Sequence, residues 1–94
     1  SENNGPSKAE LAEMANFVKT LNVYPNPSVG EMIVDLNVST DATVVLVDMF
    51  GKVAAEKQVF AGSNSFKFDG SNLPKGIYIV KVLGTELSKS VLIK

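Results

Sequence analysis

Hydrophobic and polar residues alternate along most of the chain from residue 21 onward. The clearest case is the stretch 31–38, in which Met32, Val34, Leu36 and Val38 occupy every second position. This period of two is typical of a β-strand with one buried face and one face in solvent. The same pattern predicts seven short strands, at residues 21–24, 31–38, 42–49, 53–60, 65–69, 77–82 and 87–94.

Turn-forming residues separate these segments roughly every 8 to 12 residues, a spacing typical of an all-β sandwich. Gly30 permits a chain reversal after two prolines, and Gly51 supplies the backbone freedom for a hairpin at 48–52. Residues 61–64 are predicted as a further turn, and 84–86 as the last one. We therefore expect a single domain made of two antiparallel sheets.

Two of the predicted strands differ in how deeply they should lie. Residues 42–49 are apolar on both faces, which favours a central strand covered on each side. On the strand that follows, Val53, Ala55 and Val59 are predicted to point inward, and Lys57 interrupts this set. A charge at an inward position indicates an edge strand.

The stretch 72–82 combines a turn with the run richest in β-branched and aromatic residues nearby. The spacing of Leu73, Gly76 and Tyr78 resembles the tyrosine corner of Greek-key sandwiches, in which a Tyr hydroxyl bonds to the backbone a few residues upstream. We interpret this stretch as a corner followed by a core strand.

Residues 1–20 are predicted to be a linker that precedes a folded domain at 21–94. Ser7 and Glu10 form a capping box, which predicts a short helix over about residues 8–18. The apolar residues at helical spacing in this segment are Leu11, Met14, Phe17 and Val18. So short a helix is marginal by itself in water. It is interpreted as a linker helix that packs on its own or a neighbouring domain, with a partner-binding helix as the alternative.

Composition excludes several kinds of chemistry. The 94 residues include no Cys and no His, which rules out disulfides, thiol nucleophiles, ordinary zinc sites and His-dependent triads. A net charge of -1 gives no basic patch for nucleic acid, and no apolar run is long enough to span a membrane. We expect no cofactor and no metal. Because the sequence begins with Ser1, we also expect it to be part of a longer protein.

The remaining candidates for chemistry are carboxylates and aromatic rings. Four aspartates, Asp35, Asp41, Asp48 and Asp69, lie at turns or outward strand positions and do not match a calcium loop. They are interpreted as turn-forming or solvated groups. The aromatic residues interpreted as core are Phe50, Phe60, Phe66, Phe68 and Tyr78. A sugar-stacking face is the alternative for these rings.

Four motifs in order resemble the type A C-terminal sorting domain of the type IX secretion system. They are Tyr24-Pro25-Asn26-Pro27 with Gly30, the run 44–53 with Asp48 and Gly51, Gly62 with Asn64, and the run 73–82 with Leu73, Gly76 and Tyr78. A last strand ending at Lys94 completes the resemblance, which covers about residues 21–94 and excludes the N-terminal helix.

This resemblance implies an immunoglobulin-like sandwich that acts in transport and has no catalytic activity. Such a domain directs an upstream cargo domain from the periplasm through an outer-membrane translocon, with outer-membrane shuttle proteins, to the surface of a Gram-negative cell. A surface sortase then removes it, with a cut expected somewhere in the segment that precedes Val23. The residues expected to be recognised by the translocon are Ser88, Lys89, Ser90, Val91, Leu92, Ile93 and Lys94.

Other functions are compatible with the residue pattern. A carbohydrate-binding or adhesive accessory sandwich beside a secreted enzyme is the main alternative, and a structural spacer is another. A hydrolase ranks last, because the sequence offers no converging pair of carboxylates. Exposed strand edges and an amphipathic N-terminal helix also favour a weak homodimer or strand exchange between copies.

Overall fold

A computed structural model describes residues 20–94, and the predicted helix at about 8–18 lies outside this range. The described chain is all-β, and its strands confirm the predicted number of seven. They are β1 (Thr20–Tyr24), β2 (Glu31–Val38), β3 (Ala42–Val47), β4 (Val53–Val59), β5 (Gly62–Asp69), β6 (Gly76–Val82) and β7 (Ser88–Ile93).

The strands form two antiparallel sheets. One sheet has the order β1-β2-β5, and the other has the order β4-β3-β6-β7. Only β1–β2, β3–β4 and β6–β7 are neighbours both in sequence and in a sheet, so the chain passes between the sheets after β2, β4 and β5. These three passages join the sheets into one sandwich.

The core lies between the two sheets and draws on both of them. From the three-stranded sheet come Leu21, Met32, Val34, Leu36, Val38 and Phe68, and from the four-stranded sheet come Val44, Leu46, Val59, Tyr78, Val80, Val82, Val91 and Ile93. The predicted apolar face of β2 is confirmed, because all four of its alternating residues are buried. Removal of this apolar surface from water is the main force that stabilises such a domain.

The expected depths of β3 and β4 are confirmed in outline. β3 pairs with β4 on one side and β6 on the other, and its last four residues are all buried. β4 lies at the edge of its sheet. The inward position predicted for Val53 is wrong, since this residue is 49% exposed. The register of β3 and β4 shifts between Leu46 and Val47, and such a bulge turns the following side chains to the other face.

Two further local predictions are wrong. Residues 62–64 are not a turn but the first part of β5, where Asn64 pairs with Leu36 of β2. Phe50 and Phe60 are not core residues, because Phe50 is 95% exposed at a hairpin tip and Phe60 is 63% exposed after β4 ends. Aromatic character alone predicts burial poorly at turns, where no second sheet covers the ring.

Candidate functional site

The C-terminal strand β7 lies at one edge of the four-stranded sheet. It pairs with β6 in antiparallel register, from Gly76 opposite Ile93 to Lys81 opposite Ser88. Val91 and Ile93 point into the core and are almost fully buried, whereas Leu92 is 39% exposed. The side chains of Ser88, Lys89 and Ser90 also lie in solvent. β7 is therefore anchored by one face and accessible at the other.

The segment 25–28, here called the strap, runs along the outer edge of β7. The backbone N–H of Ser28 donates to the Leu92 carbonyl at 2.8 Å, and the Lys94 N–H donates to the Ser28 carbonyl at 2.8 Å. Ser28 and Ile93 form a parallel bridge. The prolines of the strap, Pro25 and Pro27, both follow cis peptide bonds.

Asn26 of the strap bonds to the same edge through its side-chain amide. Its Oδ1 accepts from the Leu92 N–H at 3.0 Å, and its Nδ2 donates to the Ser90 carbonyl at 3.2 Å. One side chain thus supplies the acceptor and the donor that a neighbouring strand would offer. The edge of the terminal strand, treated as open on sequence grounds, is covered over its C-terminal half.

Ser28 fixes the strap to the rest of the sandwich. Its side chain is fully buried; its hydroxyl donates to the Glu31 carbonyl at 2.8 Å and accepts from the Gly30 N–H at 2.9 Å. The Gly30 carbonyl in turn accepts from the Gly70 N–H at 2.7 Å. The sequence pattern missed this buried serine. The one signal available was its position between a proline and a glycine, where a short hydroxyl side chain commonly bonds to the local backbone.

The 73–82 stretch forms the predicted corner. The Tyr78 hydroxyl donates to the Pro74 carbonyl at 2.5 Å, and the ring is buried in the core. Leu73 packs against the same core, and its N–H donates to the Gly70 carbonyl at 2.9 Å. Gly76 has a φ of 147°, in a region that favours glycine. The expected bond to upstream backbone is confirmed.

The 48–52 hairpin is held by one carboxylate. Asp48 Oδ1 accepts from the backbone N–H of Phe50 at 2.8 Å and from that of Lys52 at 2.9 Å. Gly51 adopts a φ of 86°, which confirms its predicted role in the reversal. The tip of this hairpin and residues 74–78 line a shared groove of about 190 Å³. Two motifs distant in sequence therefore meet at the end of the sandwich where β7 finishes.

Tyr24, the last residue of β1 and the one before the strap, lies on the outer face of the three-stranded sheet. Its hydroxyl donates to Asp35 Oδ2 at 2.7 Å, and the Ser65 hydroxyl donates to Asp35 Oδ1 at 2.6 Å. The hydrogen bond from Ser65, followed by that from Tyr24, lowers the pKa of Asp35 below its ordinary value of 3.8. The bond to the carboxylate also raises the pKa of Tyr24. These hydrogen bonds link β1 and β5 to β2 across the outer face of the sheet.

The other aspartates serve turns, as the sequence suggested. Asp41 Oδ1 accepts from the Ala61 N–H at 3.0 Å, and Asp69 Oδ1 accepts from the Ser71 N–H at 3.0 Å. The side-chain and backbone hydrogen bonds of Ser71 lower the pKa of Asp69. Within residues 20–94, no three acidic side chains approach closely enough to hold a metal ion.

The geometry of β7 and its surroundings suits binding of a partner protein better than catalysis. A comparison with known protein families agrees with a role in recognition. The sequence model of the family described as "Secretion system C-terminal sorting domain" matches residues 22–94. The chain belongs to the secretion system C-terminal sorting domain family. A comparison with curated proteins gave no significant match.

The sorting domain is a C-terminal sorting signal of type IX secretion, which acts with the secretion system in export to the cell surface or the medium. A sorting-signal family is not a catalytic one. None of the residues described favours the carbohydrate-binding alternative. Over the same residues, no helix is both long and apolar enough to cross a bilayer.

Proposed function

We propose that the type IX translocon recognises the sorting domain through Ser88–Lys94. The observation that carries this proposal is the position of β7, which is anchored in the core by Val91 and Ile93 and presents Lys89 and Leu92 to solvent. A strand held in this way is a fixed surface for a partner protein. The strap bonds to the C-terminal half of the outer edge of β7, while Thr20–Asn22 of β1 and Leu87–Lys89 line a shared pocket at the Ser88 end.

The remaining motif residues support this surface from below. The Tyr78 corner starts β6, which pairs with β7. The strap contributes Asn26 and Ser28 to the other edge of β7. On this proposal Tyr24, Asp48 and Gly51 maintain the fold around the recognised strand and do not contact the translocon.

We also propose the path of the sorting domain. It folds in the periplasm of a Gram-negative cell, carries an upstream cargo domain through the outer-membrane translocon with the help of shuttle proteins, and has no enzymatic activity of its own. A surface sortase then cuts within the segment that precedes Val23. The family match over residues 22–94 supports this path, because the matched segment covers the folded strands from within β1 to the end of β7.

The sandwich itself is proposed to be immunoglobulin-like. The sheet orders β1-β2-β5 and β4-β3-β6-β7 support this class, as does the Tyr78 corner at the start of β6. An experimental structure in which β1 pairs within the same sheet as β6 would contradict it.

The experiment that tests recognition fuses residues 21–94 to a passenger in a host with type IX machinery. Removing Val91–Lys94 is the severe version, but it also deletes two core residues. Leu92→Glu is sharper, because Leu92 is exposed and its change leaves the core intact. The matched control is Leu83→Glu, on a leucine that is 50% exposed in the β6–β7 connection.

Surface display of the passenger should fall strongly for Leu92→Glu and stay near the parent level for Leu83→Glu. A second pair compares Lys94→Glu with Lys75→Glu, which lies in the corner turn. Equal display by both members of each pair, with both variants folded, would exclude β7 as the recognised element. Unchanged display of the passenger without the whole domain would instead support a structural spacer.

A further inference from the structure

The backbone groups of β7 divide between its two edges. Leu87, just before the strand, accepts a hydrogen bond from Val82 N–H through its carbonyl at 3.1 Å. In an antiparallel pair of strands, the residues along each strand alternate between those that bond to the partner and those that do not. The odd-numbered residues of β7 therefore bond to β6. The backbone N–H and C=O groups of Ser90, Leu92 and Lys94 point to the outer edge. An outward row of this kind is a template for another strand.

The strap occupies most of this template. It engages the Ser90 carbonyl, both backbone groups of Leu92 and the Lys94 N–H. The contacts of Asn26 are exposed to solvent, whereas Ser28 is fully buried. Water can replace the exposed amide readily, so the strap should open first at Asn26 and hold longest at Ser28.

We propose that the strap guards the edge of β7, which means that it prevents another strand from adding to the C-terminal half of β7. Asn26, whose side chain bonds to Ser90 and Leu92, is the first contact that must break and is here called the latch. Once Asn26 has opened and Ser28 has then released Leu92 and Lys94, β7 accepts an extended strand, and in the isolated protein that strand is β7 of a second copy. The importance of this guard for export rests on the proposed function of β7. The guard itself is a property of the isolated chain.

With the strap displaced, a second β7 strand matches this edge in sequence. An antiparallel register centred on Ser90 places Ser88 opposite Leu92 and Lys89 opposite Val91 of the other copy. No lysines face each other, and such direct juxtaposition of like charges would oppose pairing. The same register brings Lys94 opposite Glu86, an ion pair between copies. In this register, the sequence of β7 is complementary to that of β7 in a second copy.

The test uses the full 94-residue chain and a labelled synthetic peptide of residues 87–94 as the probe. Asn26→Leu keeps the side-chain size but removes the acceptor and the donor. We expect the variant to bind the peptide at least about tenfold more tightly than the parent chain. Its Leu92 amide should exchange with solvent at least about tenfold faster, while the Val91 amide, bonded to β6, stays protected.

Two further variants make the result specific. Asn72→Leu places the same change on an exposed turn residue away from the strap and should behave as the parent chain. Asn26→Asp keeps an acceptor for Leu92 but sets a carboxylate against the Ser90 carbonyl, so it should bind the peptide at an intermediate level. Slow solvent exchange of the Leu46 and Val80 amides shows that the core of a variant is intact. If Asn26→Leu loses this protection, the comparison of Asn26→Asp with the parent chain is the test.

Three results would overturn the proposal. The Leu92 amide could stay protected in Asn26→Leu, which would mean that Asn26 is not the latch. That amide could open without peptide binding, which would mean that the edge does not accept a strand. The parent chain could bind the peptide as tightly as the variant, which would mean that nothing is guarded. None of these results involves secretion machinery, so each is distinct from a failure of the Leu92→Glu export test.

Discussion

The hydroxyl of Tyr78 donates a hydrogen bond to the carbonyl of Pro74, at 2.5 Å, while its ring lies buried between the two sheets. This contact closes the turn that leads into β6. Since β6 lies between β3 and β7, the turn also places Gly76, the first residue of β6, opposite Ile93, the last residue of the terminal strand.

Tyr78→Phe should destabilise the sorting domain by about 1–3 kcal/mol, because the part-buried Pro74 carbonyl loses its partner while the ring still packs. Tyr24→Phe is the matched control. It removes a hydroxyl from a residue that is 45% exposed, and water can replace the lost contact to Asp35. Urea unfolding of both variants checks this, and an equal or larger loss for Tyr24→Phe would contradict it.

Gly30→Ala should be among the most damaging small changes in the described chain. Gly30 has a φ of 128°, and a Cβ there would lie 2.8 Å from the Cα of Ser71. We expect a loss of at least about 2 kcal/mol from backbone strain and the contact with backbone together. Gly51→Ala shares the positive φ but meets nothing within 4 Å, so it should cost less. Thermal unfolding of the two variants distinguishes strain alone from strain with a clash.

Met32→Ala should leave a cavity in the middle of the core. Met32 is fully buried on β2, and truncation of such a side chain costs about 2–5 kcal/mol. Met49→Ala makes the same chemical change at a hairpin residue that is 64% exposed, where a shift within about 0.5 kcal/mol is expected. Urea unfolding of both variants checks this prediction. The loss of stability in Met32→Ala beyond that in Met49→Ala reports the effect of burial.

The Asp35 carboxylate should make stability depend on acid pH. Hydrogen bonds from Ser65 and Tyr24 lower its pKa in the folded state, so its contribution is complete above the ordinary value of 3.8 and is lost as pH falls through the lowered pKa. Ser65→Ala removes the larger of these causes and should move the pKa of Asp35 back toward 3.8. Titration of the Asp35 side-chain carboxyl carbon by NMR measures this. An unchanged midpoint in Ser65→Ala would refute the assignment.

Local pattern was sufficient for most of the secondary structure. The alternation on β2, the glycine in the 48–52 hairpin and the spacing before Tyr78 each reflect interactions between residues close in sequence. The predictions that failed depended on distant partners. Val53 turned outward because of a bulge against β3, and residues 62–64 joined β5 because β2 extends far enough to pair with them.

The sequence by itself determined the strand count, the all-β class and the family, because periodicity and turn chemistry are written in short stretches and the family motifs span residues 21–94. Only the tertiary structure decided the environment of β7. The strap lies more than 60 residues earlier in the chain, as the separation of 66 residues between Asn26 and Leu92 shows. No local rule encodes such a contact, because it exists only after both sheets have packed on a common core.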